Sequence, residues 1–133
     1  MLFRSFQRNC GESAEIRDIA AAFREAVGRA DAPVLIDQEG GRVQRLKLPQ
    51  WRQAPTPRSI GDLFRADPGA GREAARLNAL LIAADLRALD IDVDCVPCLD
   101  VPVPGAHDVI GDRAFALDAA VVEIGRASCR ERV

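Results

Sequence analysis

The chain has 133 residues, with 18 Lys and Arg against 20 Asp and Glu, for a formal net charge of −2. That length suits one small domain, and the near-neutral balance offers no basic field for nucleic acid or an anionic membrane. No run reaches the roughly 18 consecutive apolar residues of a membrane span. Met1-Leu2-Phe3-Arg4 lacks the long apolar region of a signal peptide, so a cytoplasmic location is expected.

Three strand–helix units follow one another. Leu2–Phe6 reads as a first strand, followed by the loop Gln7–Glu12. Ser13 then serves as N-cap of a helix over about Ala14–Gly28, whose apolar stripe is Ile16, Ile19, Ala20, Phe23 and Val27. Gly28 fits the helix end. The second unit opens with the apolar run Pro33-Val34-Leu35-Ile36, a short buried strand. Pro49, Pro55 and Pro57 are expected to keep residues 47–59 irregular, with Trp51 either covering the sheet or shielding the core. Asp67-Pro68 supplies an N-cap and a first-turn proline for a long helix, about Pro68–Leu89. Its buried side is expected to include Ala74, Leu77, Leu81, Ala84 and Leu89. The third unit is a strand over about Asp92–Leu99, a loop over Asp100–Leu117 and a last helix, Ala119 to about Ala127, capped by Asp118. Strand–helix repetition predicts an α/β fold with parallel strands and right-handed crossovers.

The second strand delivers the most informative segment, Asp37-Gln38-Glu39-Gly40-Gly41-Arg42-Val43-Gln44-Arg45-Leu46. A buried parallel strand that ends on a carboxylate is how α/β folds place polar groups against a ligand. An ionised Asp37 only accepts hydrogen bonds, so it suits a donor-rich ligand such as a polyol. Gly40 and Gly41 permit positive φ or close backbone approach. Arg42 and Arg45 supply donor forks for oxygen-rich groups. The competing interpretation is a turn with surface charges and one Asp–Arg pair.

The cysteines are Cys10, Cys95, Cys98 and Cys129. Cys95-Val96-Pro97-Cys98 has redox spacing but falls in a predicted strand, where a three-residue step sends the sulfurs to opposite faces. Zinc would need a second ligand pair, and only His107 and the distant cysteines are at hand. Buried, inert thiols are therefore expected.

Three motifs in order carry a family resemblance. Residues 36–45 resemble the signature of bacterial β-N-acetylhexosaminidases of glycoside hydrolase family 3. Pro97-Cys98-Leu99-Asp100-Val101 resembles the family's Pro-Val-Leu-Asp-Val, and Val109-Ile110-Gly111-Asp112-Arg113-Ala114-Phe115 its Val-Ile-Gly-Asp/Asn-Arg-Ala/Ser-Phe. Arg8-Asn9 is similar to an Arg-Asn pair after an early strand. The resemblance implies a partial (β/α)8 barrel of about three consecutive βα units, where a full barrel takes about 250 residues. It divides the chain into a family part, residues 1–127, and a tail, 128–133, without family character, consistent with foreign or frame-shifted sequence. It also implies a further strand segment ahead of residue 1.

The implied chemistry is retaining removal of terminal β-linked N-acetylglucosamine, in muropeptides during cell-wall recycling, with no metal or organic cofactor. Retention takes a nucleophile and an acid/base on opposite sides of the bond. The resemblance places the nucleophilic aspartate and a loop histidine beyond Val133, so residues 1–133 alone are expected to be inactive. Asp37, Arg45 and Arg113 match positions that hold sugar hydroxyls. Arg42 is expected to brace Asp37 or Glu39, and Asp100 to orient loop backbone or pair with an arginine. His107 reads as a solvated loop histidine. Asp37 with Glu39 as a catalytic pair is disfavoured because both approach from one side. The alternatives are a β-glucosidase or xylosidase of the same family, or a non-catalytic sugar-binding or redox module. With about three strands, exposed edges and half-covered apolar faces predict self-association.

Overall fold

Three short parallel strands lie side by side in the order β1-β2-β3, with helices in the connections. The computed structural model describes residues 3–4, 11–105 and 107–129. Its elements are β1 (Phe3–Arg4), α1 (Ser13–Ala26), β2 (Val34–Ile36), α2 (Pro57–Ala66), α3 (Pro68–Arg87), β3 (Val93–Asp94) and α4 (Ala119–Val122), with 3-10 turns at Gly111–Arg113 and Glu123–Cys129. Of the predicted first unit, residues outside Phe3–Arg4 up to Cys10, including Arg8-Asn9, lie outside the described residues, as does the tail from residue 130.

The central strand is β2. Phe3 pairs with Val34 and Arg4 with Leu35 on one side, and Leu35 with Val93 and Ile36 with Asp94 on the other. Val34 and Ile36 are fully buried between the layers, as an apolar run in a parallel sheet requires. Around them pack Ile16 and Ala20 of α1, Ile82 and Leu86 of α3, and Leu46, Ala54, Leu89 and Ile91 from the loops. Trp51 is half-buried against this core. Arg24 ties α1 to the strand starts, donating to the Ala32 carbonyl at 3.2 Å, the Asp90 carbonyl at 2.9 Å and the Asp92 carboxylate at 2.8 Å.

Several boundaries differ from expectation for physical reasons. Helix α1 starts at Ser13, so Glu12 and not Ser13 is the N-cap; the Glu15 carboxylate accepts the Glu12 N–H at 3.0 Å. Residues 57–59 are helical. Thr56 caps α2 by accepting the Ser59 N–H at 3.1 Å, and Pro57 takes the first position, where its missing N–H costs nothing. Helix α3 is capped by Asp67 as expected, but Gly71, Ala75, Ile82 and Leu86 form its buried face. Leu77, Leu81 and Ala84 point outward instead. The third strand stops at Asp94, well short of Leu99. The Cys95 N–H still donates to Ile36 at 2.9 Å, but β2 has by then turned into its loop and leaves later residues no ladder partner. The last helix is one α turn, capped by Asp118 accepting the Val121 N–H at 2.9 Å, and continues as 3-10.

A second, smaller core joins Ile60 of α2, Ala75 of α3, Phe115 and Ile124. Gly61 makes it possible: a Cβ there would strike the Phe115 carbonyl oxygen. Gly61→Ala is expected to destabilise the chain by about 1–3 kcal/mol or more, although helix propensity alone would favour alanine by about 1 kcal/mol. Denaturant unfolding decides the sign, and a raised midpoint would show that α2 does not pack this closely.

Candidate functional site

The chain turns sharply as it leaves β2, and four polar residues of the turn are buried: Asp37, Gln38, Glu39 and Gln44. Buried polar groups need partners, and here loop backbone and two arginines supply them. Gln38 is the clasp. Its Oε1 accepts the N–H groups of Arg45 at 2.8 Å and Leu46 at 3.0 Å, and its Nε2 donates to the Leu46 carbonyl at 3.2 Å. Gln44 does the same for the outgoing strap, donating to the Leu46 and Arg52 carbonyls and accepting the Ala54 N–H at 3.1 Å. Gly40 and Gly41 both have positive φ, +99° and +55°, and a Cβ on either would run into Pro55 or Thr56. The glycines thus meet both the conformational and the close-approach requirement.

With the loop closed in this way, Arg45 meets Asp37: Nη2 donates to Oδ2 at 2.8 Å. Arg113 arrives from the distant 3-10 turn and grips Glu39 with two hydrogen bonds, Nε to Oε2 at 2.9 Å and Nη2 to Oε1 at 2.8 Å. This two-pronged geometry raises the Arg113 guanidinium pKa further above its ordinary value, the Glu39 hydrogen bonds being the chief cause. The outcome is two carboxylate–guanidinium pairs at the C-terminal end of the sheet. Engaged in this manner, Asp37 and Glu39 suit holding a ligand better than attacking one.

Arg42 does not brace Asp37 or Glu39. Its guanidinium reaches across to the segment before Arg113, donating to the Asp108 carbonyl at 2.7 Å and pairing with the Asp112 carboxylate at 2.9 Å. It therefore links the two loops that carry the site, and the partner differs from expectation because the loops meet only in three dimensions. Among the described residues the Asp100 carboxylate pairs with neither an arginine nor loop backbone; it accepts the Cys98 thiol at 3.2 Å. His107 is exposed on its loop. Cys98 is buried, which pushes its thiol pKa up, but Cys95 is exposed, against the expectation of burial. The strand ends before it and the two are not joined by a disulfide. Cys10 lies outside the described residues.

One site residue carries no sequence signal of its own. Asp94 sits at the end of β3, beside Ile36, and its Oδ1 accepts the Gln38 N–H at 2.9 Å. Its Oδ2 is buried without a hydrogen-bond partner among the described residues. Burial pushes the Asp94 pKa up to about 7, the Gln38 and Cys95 N–H groups oppose this, and the Glu39 and Asp37 carboxylates add to it. Asp94 and Glu39 both line a cavity of about 520 Å³ that also reaches Asn78, Ile82, Cys98 and Phe115.

Comparison with known proteins places this arrangement. A β-hexosaminidase of Thiobacillus denitrificans is 40% identical over 125 residues, covering 92% of this chain and 33% of the relative. One from Xanthomonas campestris pv. campestris is 37% identical over 117 residues, covering 88% of this chain and 34% of its own length. The chain thus spans about a third of the curated relatives it matches. NagZ from Neisseria gonorrhoeae, solved in complex with N-trifluoroacetyl-D-glucosamine, superposes with a TM-score of 0.84 at 27% identity, over 94% of this chain and 36% of that one. A family 3 β-N-acetylglucosaminidase from Paenibacillus sp. str. FPU-7 gives a TM-score of 0.81 at 30% identity, over 97% of this chain and 24% of that one. The three βα units are accordingly part of a (β/α)8 barrel. Residues 2–128 match the glycosyl hydrolase family 3 N-terminal domain, and the chain belongs to that family.

Proposed function

We propose that this chain is the sugar-holding part of a longer retaining exo-β-N-acetylhexosaminidase. In that role the whole protein releases terminal N-acetylglucosamine from muropeptides in the cytoplasm, during cell-wall recycling. The observation that carries this proposal is the part-buried Asp37–Arg45 pair at the end of β2, with a second pair, Glu39–Arg113, on the same loop. Asp37 accepts from sugar hydroxyls, and Arg45 and Arg113 donate to sugar oxygens. The β-hexosaminidase relatives and the solved relative with an N-trifluoroacetylated glucosamine favour an N-acetylated ring over plain glucose or xylose. The bond-breaking groups lie outside residues 1–133, and the division at residue 127, with 128–133 as a non-family tail, belongs to the same proposal. Source DNA that continues past residue 127 in an intact reading frame without family-like sequence would sink the foreign or frame-shifted origin of that tail. The exposed Leu77, Leu81 and Val93 make self-association of the isolated chain part of it as well.

Titration of residues 1–133 with N-acetylglucosamine tests the holding role. Saturable binding is expected, weaker binding of glucose, and no turnover of an aryl N-acetyl-β-glucosaminide. Asp37→Ala removes charge-assisted hydrogen bonds of about 1.5–3 kcal/mol each, so affinity should drop roughly 10- to 150-fold. Equal affinity for glucose would favour a glucosidase, absence of binding would remove the holding role, and steady turnover would refute the division of labour.

A further inference from the structure

We propose that Asp94 is a positioning residue for the sugar-holding pair, acting on Asp37 and Arg45 through Gln38; this rests on the function proposed above. Gln38 stands between the two members of the pair in a mechanical sense. Its side chain holds the backbone of Arg45 and Leu46, and so sets where the Arg45 side chain begins. Its own backbone follows Asp37 directly. Whatever fixes the Gln38 peptide therefore fixes both partners of the 2.8 Å Asp37–Arg45 bond.

Beyond Ile36 the strand ladder no longer does this. Ile36 is the last residue of β2, and its carbonyl is taken by the Cys95 N–H. The next N–H available for anchoring is that of Gln38, and its acceptor is a side chain, Asp94 Oδ1 at 2.9 Å. Asp94 thus extends the β2–β3 ladder by one hydrogen bond, using a carboxylate where no backbone carbonyl is in register.

Its placement has a cost that a purely structural residue would avoid. Two carboxylates, Asp37 and Glu39, face it from the β2 loop, each already matched by one arginine. Asp94 has no cationic partner among the described residues, and Oδ2 is buried without a hydrogen bond. An apolar residue would fill the position with less penalty, so the use of an acceptor here points to the peptide it holds.

The experiment is run on the 133-residue chain with N-acetylglucosamine as probe, at pH 6. Asp94→Asn keeps an acceptor toward Gln38 and should bind within about threefold of the parent chain. Asp94→Leu lacks it and should lose tenfold or more in affinity while its far-ultraviolet circular dichroism is unchanged. Equal affinities of the Leu variant and the parent would overturn the proposal, and so would an Asn variant as weak as the Leu one. A second readout needs neither sugar nor a folded Leu variant. The Gln38 amide resonance of the parent should move with pH, with a midpoint near the Asp94 value of about 7, and should stay flat in Asp94→Asn. A Gln38 amide that ignores this titration overturns the link even if sugar binds. Absence of sugar binding by the parent, with the amide titration intact, would instead count against the function and leave the Asp94–Gln38 link established.

Discussion

Arg113→Ala is expected to lower the stability of the chain by about 3–5 kcal/mol, the range for removing one partner of a buried ion pair. Glu39 sets the size of the effect. Its side chain is only 5% exposed, and both carboxylate oxygens are taken by Arg113. Alanine would leave that charge in a low-dielectric site without compensation. Against a total stability of about 5–15 kcal/mol for a domain, such a loss would leave much of the chain unfolded at moderate denaturant. Glu39→Gln in the same molecule removes the stranded charge, so the double variant should regain more than half of what Arg113→Ala loses. The exposed pair of Glu123 and Arg126 is a suitable control, since its truncation should change little. Urea unfolding of the four proteins with a common slope measures this. An Arg113→Ala midpoint equal to that of the parent would mean that Glu39 finds another partner or water.

How far the sequence foretold this arrangement differs from element to element. Strand β2 and its loop were legible because an apolar run gives way abruptly to Asp, Glu, Gly and Arg, and both glycines adopt the positive φ their type suggests. The caps at Asp67 and Asp118 were legible as local chemistry. Helix α2 was obscured by its prolines. Yet Thr56-Pro57 follows the same cap-and-first-turn logic as Asp67-Pro68, so the signal was present. The buried face of α3 was harder. Alanines and leucines line two sides of that helix, and periodicity cannot choose between Gly71-Ala75-Ile82-Leu86 and the outward Leu77-Leu81 side without knowing what lies above it. Long-range partners were not legible at all. Glu39 and Arg113 are 74 positions apart, and Arg42 chose the 108–112 segment over its own loop. Asp94 depended on strand register: within Asp92-Val93-Asp94 it looks like an ordinary polar alternation, and only the pairing of Ile36 with Asp94 puts it under Gln38.

Register also governs the second large effect, the pH dependence of stability. The Asp94 carboxyl titrates near 3.8 in an unfolded chain and is pushed up to about 7 in the folded one. Burial is the main cause; Glu39 and Asp37 add to it, and the N–H groups of Gln38 and Cys95 act against it. The native state thus binds this proton more tightly than the unfolded state. Its contribution to stability is complete below about pH 4 and disappears as pH rises toward and through 7. Three pKa units correspond to about 4 kcal/mol. The exposed Glu73 and Asp118, whose pKa values are lowered, act in the opposite direction, so a single stability curve mixes these contributions. Comparison with Asp94→Asn isolates the one of interest, because every other group is common to both proteins. Relative to the parent, the Asn variant should gain up to about 4 kcal/mol between pH 4 and pH 8, most of it between pH 5 and 7. Parallel curves over that interval would show that Asp94 ionises as easily folded as unfolded, and that water or a cation reaches its buried oxygen.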